Sequence, residues 1–231
     1  MMQLAPIGVA YEPIIDLDTD RPILMQALPE PHRAGRESDA QVLRLACEEL
    51  AGWARSGLEV GVCVPLDATT LGDPAFPNDV ERLAAELGCD LRRLQLGLTA
   101  ETVTGAGAMP NAMALRDKGV TLCLLDYGSG FQSLSSLVDL PCQRAEIAAA
   151  FVTALERRDT GGADVVAAMV ASFRMFGVRA GAVGVATAST LGVLSGLGFQ
   201  TARGPAVCDP MGPAVAHQWL LQERGRRGAQ H

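Results

Sequence analysis

The side chains able to do chemistry are scattered, and most lack the neighbours that chemistry needs. Ser129, Ser133, Ser135 and Ser136 crowd one loop-like stretch, but no His–Asp pair accompanies them, so they read as loop hydrogen-bonding groups rather than nucleophiles. His32 lies in a Pro-rich turn, His217 on the last helical pattern and His231 at the end, and no two have metal-ligand spacing. Gly128-Ser-Gly130 resembles a phosphate-binding loop only superficially. Cys47, Cys63, Cys89, Cys123, Cys142 and Cys208 stand singly, mostly in apolar runs. No Cys-x-x-Cys occurs, so we expect reduced core thiols in a cytoplasmic protein rather than zinc ligands or a disulfide framework. Met109 and Met113 share a helical face, as core residues do.

The elements that must position these groups are clearer. The 231 residues carry a net charge of −7, are 48% hydrophobic and only 19% charged, which suits a chain with a large buried core and not a disordered one. A pI near 5.0 argues against a broad nucleic-acid-binding surface. No apolar run is long enough to span a bilayer, and Met-Met-Gln-Leu-Ala-Pro lacks a charged leader region, so we expect no membrane association. Apolar strand-like runs fall at Val9–Leu17, Pro22–Leu28, Val60–Leu66, Leu91–Thr99, Gly119–Asp126, Ala145–Ala148, Val178–Ala186 and Phe199–Val207. Helical patterns alternate with them at Asp39–Arg55, capped by Ser38 or Asp39, then Asn78–Leu87, Met109–Lys118, Ala149–Glu156, Gly162–Phe176, Thr187–Leu197 and Pro213–Glu223. Gly57, Gly88, Gly119 and Gly177 stand where left-handed helix caps belong. About eight strands alternating with helices predict an α/β fold of the (β/α)8 type, with a doubly wound open sheet as the alternative. We expect one domain over residues 1–223 and a frayed basic tail over 224–231.

Several segments, in order, resemble the EAL domain, the barrel family that hydrolyses the bacterial messenger cyclic di-GMP. Tyr11-Glu-Pro-Ile-Ile-Asp-Leu17 is similar to its opening Y-Q-P-I-V-D-L. Gly119 through Leu134 is similar to G-V-x-x-A-L-D-D-F-G-T-G-Y-S-S-L, and Leu140-Pro141 through Phe151-Val152 to L-P-V-D-x-L-K-I-D-R-S-F-V. Val64–Asp67, Leu96–Thr99 and Gly184–Thr187 match V-N-L-S, L-E-I-T and G-V-E-T, and Gly198–Met211 matches G-C-D-x-x-Q-G-Y-L-F-S-R-P-M. The resemblance runs from Tyr11 to Met211 and implies a modified TIM-type barrel. After Leu28, however, Pro29–Glu37 leads directly into the Trp53 helix. One outer helix is therefore expected to be missing, which would leave an apolar flank open near the first two strands.

The resemblance also implies where catalysis would sit. Phosphodiester hydrolysis with metal help needs carboxylates converging at the C-terminal rim of the barrel. The family's ligand positions are occupied here by Gln26, Pro65, Gly97, Leu125, Asp126, Val183 and Ala186, and its assisting Lys by Glu146. Of the ligand types, Asp126 alone survives. A rearranged Asp67/Asp126/Glu146 site is conceivable. The plainer expectation is that Asp126 caps a strand–loop junction and Glu146 points to water. The positions with which the family grips its nucleotide are occupied here by Glu12, Glu30, Arg203 and Asp209, so no ligand binding is expected. Glu30 and Asp209 put anions where the family has arginines, which opposes a dianionic ligand. The expectation is a catalytically inactive EAL-like domain with no cofactor and no metal, working in bacterial signalling through another protein, such as a transcriptional regulator or signalling component, or through a homodimer. A non-hydrolysing cyclic di-GMP receptor is the alternative, and a residual or repurposed metal-dependent phosphodiesterase comes third.

Overall fold

A computed structural model describes residues 7–31, 35–129, 140–157 and 160–228. The strands are β1 (Gly8–Asp16), β2 (Arg21–Glu30), β3 (Gly61–Pro65), β4 (Leu94–Leu98), β5 (Thr121–Tyr127), β6 (Arg144–Ile147), β7 (Arg179–Ala182) and β8 (Thr201–Ala202), and they close into a barrel in chain order. Closure decides for the barrel over the open sheet. Around it lie α1 (Arg36–Arg55), α2 (Ala68–Leu71), α3 (Phe76–Leu87), α4 (Ala100–Thr104), α5 (Ala108–Asp117), α6 (Ala149–Glu156), α7 (Thr160–Met175), α8 (Ala188–Leu197) and α9 (Pro213–Gly228).

Alternation of apolar runs does not report strand direction, and β1 departs from the expected pattern. It runs antiparallel to both β2 and β8, whereas every other neighbouring pair is parallel. A short turn, not a helix, joins β1 to β2. The Asp16 carboxylate holds that turn by accepting hydrogen bonds from the backbone N–H of Asp18 (3.2 Å) and Thr19 (3.0 Å) and from the Thr19 hydroxyl (2.9 Å).

One helix makes the β2–β3 connection among the described residues, but the open flank expected beside it is not there. Trp53 of α1 meets Tyr11 of β1 edge-to-face, with ring centroids 5.5 Å apart, and Val42, Leu43 and Leu50 are buried in the same core. The apolar side chains Val9, Tyr11, Ile15, Met25 and Ala27 of the first two strands are buried too. A single long helix suffices because its twenty residues cover both strands of a tight hairpin.

Three smaller differences concern ends of elements. The α1 N-cap is Gly35, and Ser38 and Asp39 are buried inside the helix; Asp39 accepts a hydrogen bond from the Asp67 N–H instead (2.9 Å). At the other end of the chain α9 runs on to Gly228 rather than stopping at Glu223. Arg224 donates to the carbonyls of Ser56 and Gly57, tying part of the expected tail to the end of α1. Strands β7 and β8 are much shorter than their apolar runs, since the chain turns at Gly184 and Gly204. A Cβ on Gly204 would lie 2.3 Å from the Val185 nitrogen, so only glycine lets those two backbones touch.

Candidate functional site

Side chains alternate along a strand, so every second residue of a barrel strand enters the interior. On β2, β3, β4 and β5 this alternation selects Gln26, Cys63, Gly97, Cys123 and Leu125. On β6, β8 and β1 it selects Arg144 and Glu146, Arg203 just past Ala202, and Glu12. The interior divides accordingly into an apolar part and a charged part.

The apolar part is a cluster of Ile14, Cys63, Cys123 and Leu125, with Leu24 packed against it. Burial pushes the Cys123 thiol above its ordinary range, as expected for an inert core thiol. Leu125 lies over Gly97: a Cβ added at Gly97 would come within 2.6 Å of the Leu125 Cδ1 and 3.0 Å of its Cγ. The two positions are therefore matched, with a large side chain on β5 filling the space that β4 vacates. Gly97→Ala is expected to cost about 1–3 kcal/mol by overpacking, and much of that loss should vanish in the Leu125→Ala background. Urea unfolding of the four proteins of that cycle measures the coupling, and additive losses would contradict the packing.

The charged part is a chain of ion pairs across the barrel. Arg144 donates from Nε and Nη2 to the Gln95 Oε1 (2.9 and 2.7 Å) and from Nη1 to Glu146. Arg203 donates to both Glu146 oxygens (3.2 and 3.0 Å) and to Glu12. Two guanidinium groups thus face two carboxylates, and the set is neutral. Burial alone would raise the Glu146 carboxyl. The charges of Arg144 and Arg203, with their hydrogen bonds, outweigh it and bring the group down to about 2. Glu146 is 1% exposed. It does not point to water as its place near a strand end suggested, and its partner Arg203 is 14% exposed. Arg144 and Gln95, which close the chain of pairs, went unnoticed in the sequence. The signal was available, because Arg144 and Glu146 stand two apart on one strand and must share a face.

The other ligand positions are dispersed. Pro65 ends β3, Val183 is half-buried after β7, and Ala186 is exposed, its N–H donating to Glu156 (3.0 Å). Asp126 is exposed in a left-handed conformation (φ 52°), and its carbonyl receives the Ser129 N–H (3.1 Å) and hydroxyl (2.8 Å). Asp67 caps α2 by accepting from the Thr69 N–H and hydroxyl, which lower its carboxyl. The rearranged Asp67/Asp126/Glu146 site therefore does not assemble: Glu146 is committed to two arginines and Asp67 to a helix cap. Among the described residues, no three His, Cys, Asp or Glu side chains gather to hold an ion. Apolar residues and guanidinium groups do not fit a hard divalent cation. Glu30 and Asp209 are both exposed at the rim. His32, Ser133, Ser135, Ser136 and His231 lie outside the described residues. No helix among the described residues is long and apolar enough to cross a membrane.

A closed eight-stranded barrel with an antiparallel first strand defines a modified TIM-type barrel scaffold. The chain belongs to the EAL domain family, which it matches over residues 25–210. It is 25% identical over 237 residues to the cyclic di-GMP phosphodiesterase PA2567 of Pseudomonas aeruginosa, covering 92% of this chain and 40% of that protein. A protein of Sinorhizobium fredii, y4lL, is 28% identical over 96% of this chain and 29% of its own length. The chain thus spans less than half the length of these relatives. Among solved structures, the EAL enzyme Bd1971 in a form bound to cAMP and cyclic di-GMP superposes with a TM-score of 0.86 at 17% identity, over 94% of this chain and 65% of that one. The EAL domain of Mycobacterium smegmatis DcpA gives 0.83 at 24%, over 94% and 96%. These likenesses establish the shared fold.

Proposed function

We propose that this chain is a non-catalytic EAL domain that serves cyclic di-GMP signalling in bacteria as a protein-interaction module. The observation that carries the reading is the neutral Glu12–Arg203–Glu146–Arg144 chain of ion pairs, set beside an apolar plug where the family places its metal ligands. A guanidinium at this depth supplies the positive charge that a divalent ion would otherwise bring, but it cannot coordinate a water and lower its pKa. Leu125 and Gly97 remove two further carboxylate positions by packing. Glu30 and Asp209 at the rim add repulsion toward a dianionic dinucleotide, which argues against the receptor alternative.

Isothermal titration of the purified chain with cyclic di-GMP, with and without magnesium or manganese, tests this reading. The expected result is no binding tighter than roughly 100 μM, about −5.5 kcal/mol, under either condition. A micromolar heat that does not depend on metal would replace it with a receptor. One that appears only with manganese would point to a surviving metal site.

A further inference from the structure

We propose that Cys47 and Cys89 are a site of reversible oxidation, closing a disulfide when the chain meets hydrogen peroxide. One thiol comes from α1 and the other from the residue just past the cap of α3, and the sequence, in which every cysteine stands alone, gives no sign of the pair. Three local features bring them together. Arg44 of α1 holds Glu86 of α3 with two hydrogen bonds (3.0 and 3.3 Å). Cys47 stands one turn beyond Arg44 on the same face of α1. Gly88 then ends α3 in a left-handed conformation (φ 68°), and the Cys89 N–H donates to the Ala84 carbonyl (2.9 Å), which folds Cys89 back against the two helices. There the Cys47 and Cys89 side chains hydrogen-bond to each other.

Exposure assigns the roles. Cys47 is 0% exposed and Cys89 is 9% exposed, so Cys89 is the sulfur nearer solvent and Cys47 the one behind it. A cleft of about 270 Å³ between α1 and α3, lined by Leu43, Arg44, Val80 and Leu83 among others, opens one turn from Cys47 and is wide enough for a molecule the size of peroxide. Cys47 donates its S–H to the Cys89 sulfur, which holds the Cys89 thiol below its ordinary range and the Cys47 thiol above it. The other thiols lack this arrangement. Cys63 and Cys123 also hydrogen-bond, but both are wholly buried in the barrel interior. Cys208 is more exposed but has no thiol beside it among the described residues, and neither has Cys142.

The chemistry balances with peroxide as the oxidant. The Cys89 thiolate attacks one peroxide oxygen, the O–O bond breaks, and the departing hydroxide takes up the thiol proton as water, leaving a sulfenic acid. The Cys47 sulfur then attacks the Cys89 sulfur, the S–O bond breaks, and the hydroxyl leaves with the Cys47 proton as a second water. Two thiols lose two electrons to one peroxide, and a thiol reductant reverses the change. The bridge ties α1, which covers β1 and β2, to the end of α3. The inference does not rest on the loss of catalysis.

Peptide mass mapping of the whole chain tests it, after the reduced protein has stood in about 1 mM hydrogen peroxide for about an hour and its remaining thiols have been alkylated. The expected result is a Cys47–Cys89 disulfide, with two of the six free thiols lost and both regained on adding dithiothreitol. Cys47→Ser should stop at a Cys89 sulfenic acid that dimedone traps, and Cys89→Ser should lose thiols at least about tenfold more slowly than wild type. Circular dichroism checks that each variant is folded, and the wild-type map decides alone if one is not. Six free thiols after the treatment overturn the proposal, as does oxidation at Cys208 or any other cysteine, within one chain or between copies, that leaves Cys47 and Cys89 free. A bridge that forms only in denaturant overturns it equally.

Discussion

Glu146→Lys, which installs the residue type the EAL family carries at this position, is expected to unfold the protein or leave it barely stable. The Glu146 carboxylate bridges Arg144 and Arg203 with 1% exposure, and removing it leaves those two cations with only Glu12 opposite. Breaking a buried pair costs about 3–5 kcal/mol, and a third cation in the same space adds to that. A domain of this size has about 5–15 kcal/mol in total. Glu146→Gln keeps the shape and should lose about 3 kcal/mol while remaining folded, so urea midpoints of wild type and Glu146→Gln give the answer even if the lysine variant is insoluble. A lysine variant as stable as wild type would mean that the ion pairs do not hold the interior together.

The same carboxylate sets the second large effect, on the acid limb of stability. Its pKa falls from 4.5 when unfolded to about 2 in the barrel, so the unfolded chain binds the proton more readily. The stabilisation is fully present above about pH 4.5, drains away as pH falls toward 2, and amounts to about 3 kcal/mol at about 1.4 kcal/mol per pH unit. Asp16 and Asp67 also have lowered carboxyls, so acid unfolding of the wild type alone does not isolate Glu146. The difference between wild type and Glu146→Gln does. It should be largest near neutral pH and shrink steadily below about pH 4.5. A difference independent of pH would mean that Glu146 is not ionised in the folded interior.

The fold was legible in the sequence because buried parallel strands leave long Val, Ile and Leu runs that helical periods interrupt, and α6 fell where its pattern placed it, at Ala149–Glu156. The direction of β1 was not legible, since an apolar run looks the same whichever way it points and the Asp16 turn resembles any polar loop. Nor was the cover over β1 and β2. A missing helix suggested exposure, whereas Trp53 and Tyr11 show how one helix can close the gap. The site was half legible. The residue types at Gln26, Pro65, Gly97, Leu125, Val183 and Ala186 can be read position by position, but what surrounds them in the barrel depends on pairs far apart in the chain. Glu12 and Arg203 meet across 191 positions, and Leu125 over Gly97 is a contact between neighbouring strands that spacing does not announce.

Turnover is the most direct test of the central claim that this EAL barrel does not catalyse. Purified chain at about 10 μM, incubated with cyclic di-GMP and millimolar manganese or magnesium, should give no linear dinucleotide above a protein-free control by chromatography after hours, where an active enzyme turning over at about 1 s⁻¹ would exhaust the substrate in minutes. Appearance of the linear product in proportion to protein, abolished by Asp126→Ala, would contradict the account.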